Sequence, residues 1–355
     1  MQATPPTSTQ SFWKVFAALG LLIILCCLGI VCYSAGLFFV VDRDISLIST
    51  PTLNLACTDT TCLNVCIRQL PEFEIAPLGN NRAELAKRVG GIELARYKLN
   101  EETDQLTNVV RPTVVEYLEP YQADTNLHYR IWDYYTKIFP NVPELHLSYM
   151  TVYVDASESN HAARIGDLGG QWRLYVNLLA FVSPEATLEI LTHEYGHMLT
   201  LNRTQLQNTK NEYRWDRKQE EFDKMQAICG SRFFTGHDCT TEKSYLNAFG
   251  NRFWTSEVYN DWVKIFLETD HDAEAYNTEQ DKFYAKYSNQ FIRTYAAASP
   301  REDIAESWTR FVLSPKPIGT SIADQKILFF YEYPELVQMR TNIIRNICQL
   351  AVDQK

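Results

Sequence analysis

The chain has 355 residues, with 43 acidic against 33 basic side chains and a formal net charge of −10. That balance argues against nucleic acid and anionic lipid headgroups as partners, because an acidic surface repels both. With 46% hydrophobic and 13% aromatic residues, the chain carries the material for a packed core and is not a disordered segment.

Residues 1–14, rich in Thr, Pro, Ser and Gln, read as a flexible cytoplasmic tail. Residues 15–41 contain no charged side chain and would be about 40 Å long as a helix, enough to cross a bilayer core. The expectation is a single transmembrane helix that contacts the membrane and leaves the rest of the chain extracytoplasmic, with a cleaved signal peptide as the alternative. Lys14 on one flank and Asp42, Arg43 and Asp44 on the other set that orientation. Residues 42–125 form a juxtamembrane region with cysteines first and a helical pattern from about residue 81. Six of the nine cysteines lie outside the apolar run: Cys57, Cys62, Cys66, Cys229, Cys239 and Cys348. An even set suits disulfides in an oxidising compartment, and Cys229 with Cys239 makes a local loop.

Residues 126–355 are expected to form one catalytic domain with a helical insertion at 205–292. Its first clear element is an amphipathic helix from Leu127 to Phe139, ended by Pro140. Residues 145–156 alternate and are β-branched, and Trp172 to Val182 reads as a second strand after a Gly-rich turn at Ile165–Gly170. Ser183, Pro184 and Glu185 supply an N-cap, a first-turn proline and an early acid, opening a helix through Leu188, Leu191, Met198 and Leu199.

That helix carries His193-Glu194-Tyr195-Gly196-His197. Positions i and i+4 share one helix face, so both imidazoles can reach one tetrahedral metal, while Glu194 is placed as a general base for water. The spacing points to zinc-dependent peptide hydrolysis. A catalytic zinc needs a third protein ligand. Thr200 and Arg203 stand where the extended metzincin motif requires Gly and His, which excludes that class. A second helix, opened by Ser299-Pro300, carries Glu302, Asp303 and Glu306 within two turns. Glu302 can bind zinc, and Glu306 can accept a hydrogen bond from a ligand imidazole and fix its tautomer. His237 and His271 read as ordinary surface histidines.

In these two blocks, roughly 183–201 and 291–312, the chain resembles the gluzincin peptidases, most closely the group that includes anthrax lethal factor. The resemblance implies His193, His197 and Glu302 as Zn2+ ligands, Glu306 and Asp303 as the acids behind them, and Tyr295, seven residues before Glu302, as the oxyanion donor. It also implies an α+β, zincin-like metallopeptidase domain, here behind the N-terminal transmembrane helix. In that fold an edge strand beside the metal pairs with extended substrate, and either predicted strand is a candidate. The expected activity is that of a membrane-anchored zinc endopeptidase acting on a protein or peptide. A zinc amidase for cell-wall peptides and a non-catalytic surface module are the other readings, and the oligomeric state is open.

Overall fold

Five short segments between residues 92 and 177 pair into one mixed sheet: β1 (Ile92–Leu99), β2 (Leu106–Val110), β3 (Leu147–Val154), β4 (Ala163–Asp167) and β5 (Trp172–Asn177). Their spatial order is β2-β1-β3-β5-β4; β3 and β5 run parallel and the other neighbours antiparallel. The structure is a computed structural model that describes residue 57 and residues 60–353, except 89, 101, 158–161, 168–170, 208–218 and 270–272.

Helices of eight residues or more are α1 (Thr60–Ile67), α2 (Thr125–Ile138), α3 (Pro184–Leu201), α4 (Gln219–Cys229), α5 (Tyr245–Phe253), α6 (Ser256–Glu268), α7 (Ala273–Tyr287), α8 (Pro300–Leu313), α9 (Ile322–Phe329) and α10 (Pro334–Asp353). One face of the sheet sends Met150, Val152, Leu174 and Val176 into the core, where Leu188 and Leu191 of α3 are equally buried. α3 lies against β4, and α8 packs along α3. α10 closes the other side against α1 and α2, where Cys66 is bonded to Cys348 across 282 residues. The remaining disulfides are local, Cys57 with Cys62 and Cys229 with Cys239.

The expected fold class, an α+β zincin-like metallopeptidase domain behind an N-terminal transmembrane helix, is corrected here. The described chain is α+β, 60% helix and 13% strand. None of its described helices is long and apolar enough to cross a membrane. The two longest carry too much charge: α3 contains Glu185, Glu189 and Glu194, and α10 contains Glu335, Arg340, Arg345 and Asp353. The tail 1–14 and the apolar run 15–41 lie outside the described residues, as does His271.

Two local expectations also change. Ile92–Leu99 falls within the stretch read as helical, and its Glu, Leu, Ala, Arg and Lys are helix formers. It is nevertheless a strand, because it pairs with β2 on one side and β3 on the other. Ile165, Gly166 and Asp167, read as the start of a turn, are three of the five residues of edge strand β4.

One buried polar node ties the sheet to the helices before it. His128 on α2 is fully buried; its Nδ1 is 2.8 Å from the Tyr97 hydroxyl of β1, and its Nε2 is 3.1 Å from the Tyr121 carbonyl. A neutral ring satisfies both contacts, accepting from the phenol and donating to the carbonyl. Burial lowers its pKa to about 4, against the opposing pull of the Tyr121 carbonyl and Asp124. The unfolded chain therefore takes up a proton near pH 6.5 that the folded chain refuses. Stability from this site is complete above pH 6.5 and is lost as pH falls toward 4, by about 3 kcal/mol in all. Urea midpoints across that window should fall less steeply for His128→Gln than for the wild type.

Candidate metal centre

The two site helices begin with the same device. Ser183 Oγ accepts from the Ala186 amide at 3.2 Å, and Ser299 Oγ accepts from the Glu302 amide at 3.2 Å; a proline follows each serine. These caps fix where each helix starts and so which residues face the partner helix. Gly196 sets how closely the helices approach. A Cβ at that position would lie 2.7 Å from the Trp308 indole and 3.4 Å from the Ala305 backbone, so only glycine lets α8 settle this near the histidine face.

The close approach gathers His193, His197 and Glu302, whose ligating atoms all lie within 4.8 Å of one another. Glu302 Oε2 is 3.0 Å from His193 Nε2 and 3.2 Å from His197 Nε2, and the two rings stand at 87°. A tetrahedral zinc with ligands at about 2.0–2.1 Å would separate its donors by roughly 3.3 Å, and the two distances from Glu302 to the imidazoles lie within a few tenths of an ångström of that. The donor chemistry, two imidazoles and one carboxylate, also suits zinc.

Behind the ligands, Glu306 is almost fully buried, with Oε1 2.9 Å from His193 Nδ1. The contact is an ion-pair distance without hydrogen-bond alignment, and it leaves Nε2 turned toward Glu302. Arg293 grips the other side of Glu306, with Nε 2.5 Å from Oε2 and a terminal nitrogen donating to Oε1 at 2.6 Å. Burial alone would raise the Glu306 pKa, but His193 and Arg293 lower it below the usual carboxylate range. Burial would likewise lower the pKa of His193, yet Glu302 and Glu306 raise it to about 10. Glu302, which burial would push up, is held well below its ordinary value by the two histidines. Two anionic carboxylates, Glu302 and Glu306, thus favour positive charge at His193.

Glu194 is 4% exposed, and its Oε2 has no hydrogen-bond partner among the described residues. Burial raises its pKa and Glu302 adds to the rise, opposed first by His193 and His197 and then by the Ile165 backbone amide of β4. It is a carboxylate poised to take a proton more readily than a solvated one. The Tyr295 ring centroid lies 5.7 Å from that of His193, and the side chain remains 43% exposed. Its hydroxyl is desolvated beside Glu302, Glu194 and Glu306, which keeps it protonated and able to donate.

Asp303 turns away from this cluster. It accepts from Trp254 Nε1 at 2.9 Å and pairs with Lys326 at 2.6 Å; both charged groups are fully buried, and the ammonium lies 4.2 Å from the Phe291 ring centroid. Its place is in the anchor that holds the first turn of α8. The insertion reaches the same turn, since Trp262 and Tyr276 both donate to the Ala298 carbonyl at 2.8 and 3.1 Å. His237, also in the insertion, sits edge-on to Phe266.

Reasoning from sequence missed Arg293, the Ile165 amide and Lys326. Arg293 alone left a trace, being two residues before Tyr295 and thirteen before Glu306. The other two act across the fold. Both predicted strands, β3 and β5, are interior, and the edge beside the site is β4. Comparison with protein-family models, curated proteins and solved structures finds no match for the chain.

Proposed function

We propose that the chain is a zinc-dependent endopeptidase. The observation that carries this reading is the convergence of His193, His197 and Glu302 beside a buried carboxylate, Glu194, with an oxygen that has no partner. The resemblance of the blocks 183–201 and 291–312 to gluzincin peptidases supports it. Zinc held by the three ligands would supply Lewis acidity, making water more acidic and a carbonyl more electrophilic.

The chain's own groups do the rest. Glu194 takes the proton of the attacking water and passes it to the leaving amine, a shuttle suited to a carboxylate with a raised pKa. Tyr295 donates to the oxyanion that develops on the scissile carbonyl. Glu306, clamped by Arg293, puts its charge beside His193 Nδ1 and so favours the ligating tautomer. β4, the outermost strand on this side and in contact with α3, offers backbone groups to an extended polypeptide. The three disulfides support an oxidising compartment as its place of work.

The test is zinc per chain by elemental mass spectrometry, alongside hydrolysis of an unstructured protein substrate. The expected result is one zinc in the wild type, its loss in Glu302→Ala, and cleavage that follows the metal. A folded wild type that binds no zinc would refute the reading, and one that binds zinc without cutting protein would turn it toward a binding module.

A further inference from the structure

The sheet has a second face, opposite the core, and its side chains do not resemble those of the rest of this acidic protein. Cross-strand register sets two rows on it. Arg96, Thr151, Tyr175 and Arg164 are neighbours across β1, β3, β5 and β4; Lys98, Tyr149, Arg173 and Gly166 form the adjacent row. Four cations therefore lie in these two rows, and Glu93 beside them pairs with Arg96 at 2.7 Å. The guanidinium of Arg164 lies 4.4 Å from the Tyr175 ring centroid, and that of Arg173 lies 4.9 Å from Tyr149 and 5.6 Å from Tyr175. Arg173 also donates to the Tyr175 hydroxyl at 3.3 Å. These contacts fix the guanidinium groups over the rings, so they lose little freedom when an anion arrives.

Beneath the exposed ends of these side chains, Arg96 Nε, Arg173 Nε and Thr151 Oγ1 are buried atoms with no hydrogen-bond partner among the described residues, so a ligand meets the outer guanidinium nitrogens and not these atoms. Lys98 and Arg164 are exposed at opposite sides of the patch.

We propose that this face binds an extended, acidic segment of a polypeptide. Four strands span about 15 Å and the two rows about 7 Å, far below the roughly 800 Å² per partner that a stable contact between folded proteins needs. The occupant is therefore a single chain. Carboxylates match planar guanidinium groups two bonds at a time, and four cations spread over two strand rows suit several carboxylates carried along one extended chain. Nucleic acid fits less well, because the tyrosine rings on which bases would stack already carry guanidinium groups. A membrane fits less well still, since Val110 is the exposed apolar side chain in these rows. The inference does not depend on the peptidase reading.

The test is fluorescence anisotropy with a labelled peptide of alternating Glu and Gly, using the full chain carrying Glu194→Gln so that no cleavage intervenes. Saturable binding is expected, weakened about tenfold between roughly 0.05 and 0.5 M salt and by a similar factor in Arg164→Gln/Arg173→Gln, with an unchanged melting curve. Absence of binding at low salt, or equal binding by the double variant, would overturn the proposal. So would tighter binding of oligo-dT, a sulfated polysaccharide or anionic vesicles than of the peptide. Should the double variant not fold, Arg164→Gln alone, at an exposed position, must still weaken binding severalfold.

Discussion

Glu194→Gln is expected to lower peptide hydrolysis by about a thousandfold or more while one zinc per chain stays bound. The amide keeps the shape of the side chain and removes its ability to accept the proton of the attacking water. Glu194 lies on the same helix as both histidines but outside the ligand set, so the metal should not notice the change. Initial rates on an unstructured substrate and elemental analysis of the same sample check both halves. A wild-type rate would remove Glu194 from the mechanism. Loss of zinc in this variant would move it into the ligand set. A peptidase that uses Glu194 in this way should also lose activity on its acid side, as the carboxylate takes up a proton before water can offer one.

Lys326→Met is expected to cost about 3–5 kcal/mol of stability, because it strips the buried Asp303 carboxylate of its only cation among the described residues. With Lys326 present, burial already holds the Asp303 pKa up to about 6, and Lys326 is the main force opposing that rise. Without it the carboxyl should stay protonated in the fold to higher pH. The stability deficit should therefore shrink as pH falls, since the folded variant then binds a proton that the unfolded chain, with an ordinary aspartate, does not. Denaturant midpoints at pH 5 and pH 8 test the sign. The double variant Lys326→Met/Asp303→Leu should recover most of the loss, as replacement of a whole buried pair usually does. Zinc affinity should fall in the single variant, since Asp303 is the neighbour of Glu302 on the first turn of α8.

The parts of the site visible in the sequence are those that a helix repeats at short range. His193 with His197, and Glu302 with Glu306, are each one turn apart, and each helix announces its start with Ser-Pro. The sequence was silent where chemistry crosses the fold. The Ile165 amide is a backbone group with no signature of its own, and Lys326 meets Asp303 only because α9 folds back on α8. Strand order escaped for a related reason. β3 and β5 had the stronger β pattern because they are interior strands rich in β-branched and aromatic residues with one face on the core, whereas the edge position fell to a short strand containing Gly166, whose glycine suggested a turn. Ile92–Leu99 shows the opposite failure: local preference for helix was overruled by pairing on both flanks.

The bond between Cys66 and Cys348 also sets an order of events in biosynthesis. A ribosome delivers Cys66 282 residues before its partner, and Cys62 and Cys57 arrive first, four and nine positions upstream. All four sulfurs end in one neighbourhood, with those of Cys57, Cys62 and Cys348 within 4.8 Å of one another. Early oxidation thus has wrong partners at hand and the right one not yet made. Maturation of this chain depends on holding Cys66 reduced, or on reshuffling its first pairing, until α10 has been synthesised and has docked against α1.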